Sequence, residues 1–173
     1  MKRCRQGDRG AFSQLVKRYQ RTLYNAAYRV LGREEDARDI TQVVFLRIAE
    51  RLAEYDPRYK FFSWVYRIAV NESLNLLRKN AREEPLDGEA DDMPGLESAD
   101  PAWRMDAAQV SERVQRALMK MKFSDRVVLT LRHFSECSYE EIAEILQIEV
   151  KTVKSRLFEA RQRLRPLLGD LAR

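Results

Sequence analysis

The residues best equipped to make directed contacts lie near the C-terminus. Thr152, Lys154, Ser155 and Arg156 fall within five consecutive positions, flanked by Lys151, Arg161, Arg163 and Arg165, with Glu159 the one acid among them. Hydroxyls and cations placed this closely suit hydrogen bonds to phosphates and base edges, the competing role being the solvated basic face of an amphipathic surface helix. A second cluster spans Tyr55 to Arg82. Six aromatics within twelve positions (Tyr55, Tyr59, Phe61, Phe62, Trp64 and Tyr66) are mixed with Arg58, Lys60 and Arg67 and followed by Arg78, Lys79 and Arg82. Rings that stack on bases, worth about 1–3 kcal/mol each, beside cations that hold phosphate, are what single-stranded nucleic acid requires. The competing role for those rings is core. That role is expected for at least half of them, because a three-helix lobe has few other large side chains.

Catalytic residues are scarce. The chain has a single histidine, His133, and two distant cysteines, Cys4 and Cys137. They give neither a disulfide framework nor zinc-ligand spacing. Without a phosphate-cradling glycine loop or paired carboxylates in an apolar setting, no enzymatic reaction and no cofactor are expected.

The elements that must position these residues all follow a helical period. Ser138 and Glu141 form a capping box that opens a short helix with Ile142, Ala143, Ile145 and Leu146 on its apolar side. Gln147-Ile148-Glu149 makes a turn without the glycine often found there. Val153, Leu157, Ala160 and Leu164 then mark one stripe of a second helix. The pair matches a helix-turn-helix whose second helix enters the major groove by its N-terminal part, with Thr152, Lys154, Ser155 and Arg156 facing the groove. Pro166 is expected to stop or kink that helix.

Nearer the N-terminus, Asp8 caps a helix carrying Phe12, Leu15, Val16, Tyr19, Leu23, Ala26, Ala27 and Val30, and Gly32 is placed to end it in a left-handed conformation. Arg33-Glu34-Glu35-Asp36 opens the next helix, with its acids near the positive end of the dipole. Its inward stripe is Ala37, Ile40, Val44, Ile48 and Leu52. Asp39, Gln42, Phe45 and Arg47 fall off that stripe. An aromatic there is either part of a partner-binding face or covered by a third helix. After a turn at Tyr55–Arg58, Ser63 caps a helix that runs to about Lys79, with Val65, Ile68, Ala69, Leu76 and Leu77 inward. Ser124-Asp125 caps another, carrying Val127, Val128 and Leu131. No strand-like alternation and no internal repeat is present.

Composition supports packed cores, with 45% hydrophobic and 34% charged residues in 173. The net charge of +5 hides an asymmetry: Glu83 to Asp106 holds nine acids and one base, Arg104. Two basic lobes therefore flank an acidic connector, which favours an anionic partner for both. The connector contains Pro85, Pro94 and Pro101 without a period, so it is expected to be flexible or extended. Asp100-Pro101 reads as a cap and first helical turn leading through Val110, Val114, Ala117, Leu118 and Met121. The expected fold is all-α: two small helical domains, 1–82 and 101–173, joined by a flexible acidic linker, 83–100, with the helix-turn-helix in the second. No apolar run approaches the roughly 20 residues of a membrane span, and a cytoplasmic location is expected.

Three runs, Asp36–Leu52, Phe61–Arg78 and Ser138–Arg165, together resemble an extracytoplasmic-function (ECF) sigma factor, a small initiation factor of bacterial RNA polymerase. The resemblance covers nearly the whole chain in the right order. It implies that Asp39, Gln42 and Phe45 bind core RNA polymerase at the clamp helices of its largest subunit. It implies that Tyr55, Arg58, Lys60, Phe61, Phe62, Trp64, Arg67 and Asn71 capture the melted −10 element, Trp64 and Asn71 standing at promoter-melting positions. Lys151, Thr152, Lys154, Ser155, Arg156, Phe158 and Arg161 would bind the −35 duplex, with Lys154, Ser155 and Phe158 reading it. An anti-sigma factor is a further implied partner. Three positions depart from the family pattern: Val43 follows Gln42 where an acid is usual, Lys120–Phe123 replaces a Leu-Pro, and Glu159 stands where a phosphate-binding arginine is common. The alternatives are a helix-turn-helix regulator acting without polymerase, disfavoured by the aromatic-basic segment, and a sigma-mimicking polymerase-binding protein.

Overall fold

The computed structural model describes residues 2–5, 7–83 and 112–168. The acidic linker and the proposed cap at Asp100-Pro101 lie outside them. The described residues form only helices and turns: α1 (Lys2–Arg5), α2 (Arg9–Leu31), α3 (Glu34–Arg51), a 3₁₀ turn at Leu52–Glu54, α4 (Phe61–Glu83), α5 (Glu112–Met119), α6 (Phe123–His133), α7 (Tyr139–Leu146) and α8 (Val150–Leu168).

Local chemistry sets the ends of the first long helix. The Asp8 carboxylate accepts from the Ala11 N–H at 2.9 Å and so caps α2. At the other end Gly32 takes φ 85°, and its N–H returns to the Tyr28 carbonyl. A side chain at Gly32 would be strained by that φ, and its Cβ would also collide with Met119 Sδ. Only two residues separate α2 from α3, so the helices pack as a hairpin, and α4 lies against both. Leu23, Val44, Ile48, Val65 and Tyr66 are fully buried between them.

The second half is built the same way. Leu118, Val128, Leu131, Ile142, Ile145, Val153, Leu157 and Ala160 form its interior. Asp125 is buried, and both of its carboxylate oxygens accept from Arg163 Nη1, at 3.1 and 2.9 Å, tying α6 to α8. The two halves do not stand apart. α2 packs on α5 and α6, and α4 packs on α7. The Gln115 amide donates to the Tyr28 carbonyl at 3.0 Å, the Arg29 guanidinium lies 4.3 Å from the Phe134 ring centre, and the Tyr66 hydroxyl meets the Ser135 hydroxyl at 3.0 Å.

Several expectations need correction. Phe45 is only 9% exposed and belongs to the core, whereas its neighbour Leu46 is 63% exposed. α2 and α4 flank α3 on two sides, so its buried arc is wider than a single stripe. Ser63 does not cap α4, which starts at Phe61; Ser63 is buried inside the helix, its hydroxyl without a partner among the described residues. α4 also runs four residues beyond Lys79 to Glu83. α6 starts at Phe123 with no side-chain cap, and Asp125 instead holds Arg163. Pro166 sits inside the last turns of α8 without ending it. The turn lacking glycine is made by Gln147 itself at φ 55°.

The burial of Phe45 and exposure of Leu46 predict opposite responses to truncation. Phe45→Ala should cost about 3–5 kcal/mol of unfolding free energy, and Leu46→Ala less than about 0.5 kcal/mol. Chemical denaturation of the two variants measures both.

Candidate nucleic-acid interface

The helix-turn-helix is fixed from its first residue. The Ser138 hydroxyl accepts from the Glu141 N–H at 3.1 Å while the Glu141 carboxylate accepts from the Ser138 N–H at 2.8 Å. This reciprocal cap satisfies two orphan donors and sets the start of α7. Ile142 and Ile145 of α7 and Val153, Leu157 and Ala160 of α8 are buried, which leaves the opposite face of α8 to solvent. On that face Lys151, Lys154, Ser155, Arg156, Phe158 and Arg161 are exposed and Thr152 is half-buried. Lys151, Lys154 and Arg156 make no hydrogen bond or ion pair among the described residues; hydrogen bonds to its own backbone N–H and to Ser138, and after them the Lys154 charge, hold the Glu140 carboxyl below the usual range. Phe158, 64% exposed, adds an apolar contact surface beside them.

The cations at the C-terminal end of the stripe are already engaged. Arg163 joins Asp125 and Glu159, the latter at 2.8 Å, so Glu159 is paired within its own helix. Arg161 donates to His133 Nε2 at 3.3 Å. Burial, then the Arg161 and Arg132 charges, keep the His133 imidazole below its ordinary pKa. Cys137 is buried and its thiol is pushed up to about 12, chiefly by burial, so it remains protonated and unreactive.

The aromatic segment divides between core and surface. Tyr55, Trp64 and Tyr66 are buried, Phe61 and Phe62 are half-buried, and Tyr59 is 56% exposed. Tyr55 donates to the Tyr59 carbonyl at 2.8 Å and meets Phe61 edge-on at 5.3 Å, which braces the loop before α4. Phe61 also packs on Trp64 and Tyr19, and Phe62 on Tyr66 at 4.2 Å. Arg58 is held by Asp56 at 2.6 Å and Lys60 by Glu141 at 2.7 Å. Arg67 is half-buried and has no hydrogen bond or ion pair among the described residues.

Trp64, Arg67 and Asn71 come together at a surface cavity of about 390 Å³ between α3 and α4, whose other lining residues are Arg47, Arg51, Ile68 and Glu72. Three guanidinium groups around an indole edge and an amide suit a phosphate or a base edge. Glu72 pairs with Arg47 at 3.3 Å, Glu50 also pairs with Arg47, and Glu54 holds Arg51. Arg67 and Asn71 are thus the groups left to meet a ligand. Tyr55, Arg58, Lys60, Phe61 and Phe62 lie outside this cavity's lining. Arg47 and Arg51 were missed as lining residues, although their i, i+4 spacing on an outer flank of α3 was a usable signal.

On α3, Asp39 and Gln42 are exposed, and Leu46 continues their face at i+4 from Gln42 where Phe45 was expected. Val43 is half-buried.

Comparison with known proteins places both halves. The Sigma-70 region 2 model matches residues 15–83 and the Sigma-70 region 4 model matches residues 111–164. The chain is 35% identical to the ECF RNA polymerase sigma factor SigW of Bacillus subtilis, over 99% of this chain and 96% of that protein. It is 31% identical to the RNA polymerase sigma-H factor of Pseudomonas aeruginosa, over 100% and 94%. Among solved structures, CnrH in complex with the cytosolic domain of CnrY is similar with a TM-score of 0.70 at 27% identity, covering 97% of this chain and 94% of that one. The sigma factor RpoE of Bartonella quintana, solved with the anti-sigma factor NepR, shares the fold with a TM-score of 0.71 at 23% identity, over 91% and 96%. With a capped helix-turn-helix and an aromatic-basic lobe in this order, the chain belongs to the ECF sigma factors of the sigma-70 family.

Proposed function

We propose that the chain binds core RNA polymerase and directs it to promoters, dividing the work among three surfaces. The Asp39–Gln42–Leu46 face of α3 meets the polymerase. The loop from Tyr55 to Phe62 and the Trp64–Arg67–Asn71 cavity take the melted −10 strand. The exposed face of α8 from Lys151 to Phe158 enters the major groove of a duplex −35 element, with Arg156 and Arg161 toward phosphates. Residues 83–100 act as the tether between the reading units, 1–82 and 101–173. The observation that carries this reading is the pairing, in one chain, of a free basic helix face with a cation-lined cavity beside an indole. Duplex DNA shows its base edges in the groove, whereas a melted base must be held from the side and stacked. The reaction itself belongs to the polymerase, and the site of action is the cytoplasm. An antagonist protein is a further partner of this reading, supported by the complex of CnrH with the cytosolic domain of CnrY.

Three outcomes follow. Leu46→Asp, which leaves the core intact, should weaken binding to core polymerase at least tenfold in a fluorescence-anisotropy titration; unchanged affinity removes this face. Asn71→Ala should leave polymerase binding and −35 affinity intact but reduce permanganate reactivity of −10 thymines on a normal template, with a smaller defect on a pre-melted one. Equal defects on both templates assign Asn71 to strand capture alone. Lys154→Ala and Arg156→Ala should each weaken binding of the holoenzyme to the −35 duplex, and loss of one phosphate contact should reduce the salt slope by about one unit.

A further inference from the structure

The three surfaces above leave one strongly charged face unused. From Lys2 to Arg33 the sequence carries nine cations, and Asp8 is the one acid among them. That acid is already engaged: its carboxylate caps α2 at Ala11 and pairs with Arg3 at 2.7 Å. Arg9, Lys17, Arg18 and Arg21 all stand on the exposed side of α2, away from the buried Leu15, Leu23 and Ala26. Arg9, Lys17 and Arg21 follow one another at multiples of four residues and so form one row along the helix. The exposed Ser13 hydroxyl lies in the same row, and Arg18 lies beside it. Arg9 and Lys17 make no hydrogen bond or ion pair among the described residues. Like charges in a row repel one another, and an anion laid along them relieves that repulsion.

The row adjoins the aromatic surface before α4. The Arg18 guanidinium lies 5.7 Å from the Tyr19 ring centre, and Tyr19 meets Phe61 edge-on at 5.5 Å. Phe61 packs in turn on Tyr55 and Trp64. Nearer the N-terminus, Arg5 Nη2 donates to the Ala53 carbonyl at 3.3 Å, which ties α1 to the turn two residues before Tyr55. Cations leading away from a set of rings are the arrangement of a single-strand groove, in which rings stack on bases and cations follow the backbone. A duplex keeps its base faces stacked on one another, out of reach of such rings.

We propose that the exposed row of α2 is a phosphate track for single-stranded DNA, which carries the backbone of the melted strand past the nucleotides held at the Tyr55–Phe62 loop. This rests on the reading of that loop as the −10 surface. From Arg9 to Arg21 the row spans about 18 Å, the length of about five nucleotides at roughly 3.4 Å per nucleotide of a stacked strand. Its contacts are with phosphate, so the track adds affinity without sequence preference. The loop and the cavity choose the sequence, and the track holds the strand that leaves them.

Arg9→Gln with Lys17→Gln removes two charges at exposed positions that touch none of the surfaces assigned above. Holoenzyme carrying the wild-type chain or this double variant is titrated with three fluorescent single-stranded oligonucleotides of non-template sequence. One holds the −10 element alone, and the others extend it by about five nucleotides at the 5′ or the 3′ end. With the wild-type chain, one of the two extensions should tighten binding about tenfold and steepen the salt dependence by about 0.7 for each phosphate contacted. The double variant should bind the short oligonucleotide as the wild type does and lose that gain, whereas Arg9→Lys with Lys17→Arg should keep it. No gain from either extension in the wild type, or a gain kept in full by the Gln variant, overturns the track. A Gln variant with weakened affinity for core polymerase assigns the face to a protein and overturns it too. Lys60→Ala on the short oligonucleotide keeps the two readings separable. Weaker binding there, with an extension gain that the Gln variant retains, sinks the track alone. Unchanged binding there removes the loop from the −10 surface and the starting point of the track with it.

Discussion

One carboxylate, that of Glu141, ties together most of what this chain does. Its Oε2 accepts from the Ser138 N–H and so fixes where α7 begins, and its Oε1 meets Lys60 across the junction between the halves. The first contact is local and independent of the rest of the fold. It sets the register of the helix-turn-helix, since the position of α7 determines which face α8 buries through Val153, Leu157 and Ala160. The second contact depends on the whole fold, because it requires α4 to lie against α7. A single acid therefore joins the start of the helix-turn-helix to the loop before α4.

The two halves use different physics because their targets differ. A groove helix works with exposed, mobile cations, and Lys151, Lys154 and Arg156, which make no hydrogen bond or ion pair among the described residues, suit the −35 contact proposed for them. A melted strand needs rigid apolar surfaces and a recess. Here the rigidity comes from Tyr55, Trp64 and Tyr66, which are buried as supports, while Tyr59, Phe61 and Phe62 keep part of their rings at the surface. The buried rings are no less important to the surface than the exposed ones. Tyr55 holds the Tyr59 carbonyl and packs on Phe61, so it positions two residues at once.

Much of this was legible in the residues themselves. Asp8, Gly32 and the Ser138–Glu141 box announced helix ends because each acts through its nearest neighbours in the chain. The stripe Ala37, Ile40, Val44, Ile48 and Leu52 is buried in full. Phe45 was misjudged because periodicity gives the centre of a buried arc, not its width. One residue from Val44 is about 100° around the helix, and α3 packs against both α2 and α4, so more than one stripe of it is buried. Ser63 was misjudged because a serine between apolar residues looks like a cap from sequence, but α4 gains its first turn from Phe61 and Phe62, whose rings are anchored by Tyr19, Tyr55 and Tyr66. The junction was not legible at all, and the cavity only through Trp64, Arg67 and Asn71 on one of its two helices. Both arise from residues far apart in sequence, Arg47 with Asn71 and Lys60 with Glu141, and no local pattern records such pairs.

The central claim is that sequence-specific initiation requires this chain and polymerase together. Run-off transcription with bacterial core polymerase, on the promoter upstream of the chain's own gene, tests it most directly. The account predicts a discrete transcript when both proteins are present and none with either alone. No transcript, together with tight and specific duplex binding by the chain in the absence of polymerase, would contradict it and describe a helix-turn-helix regulator instead.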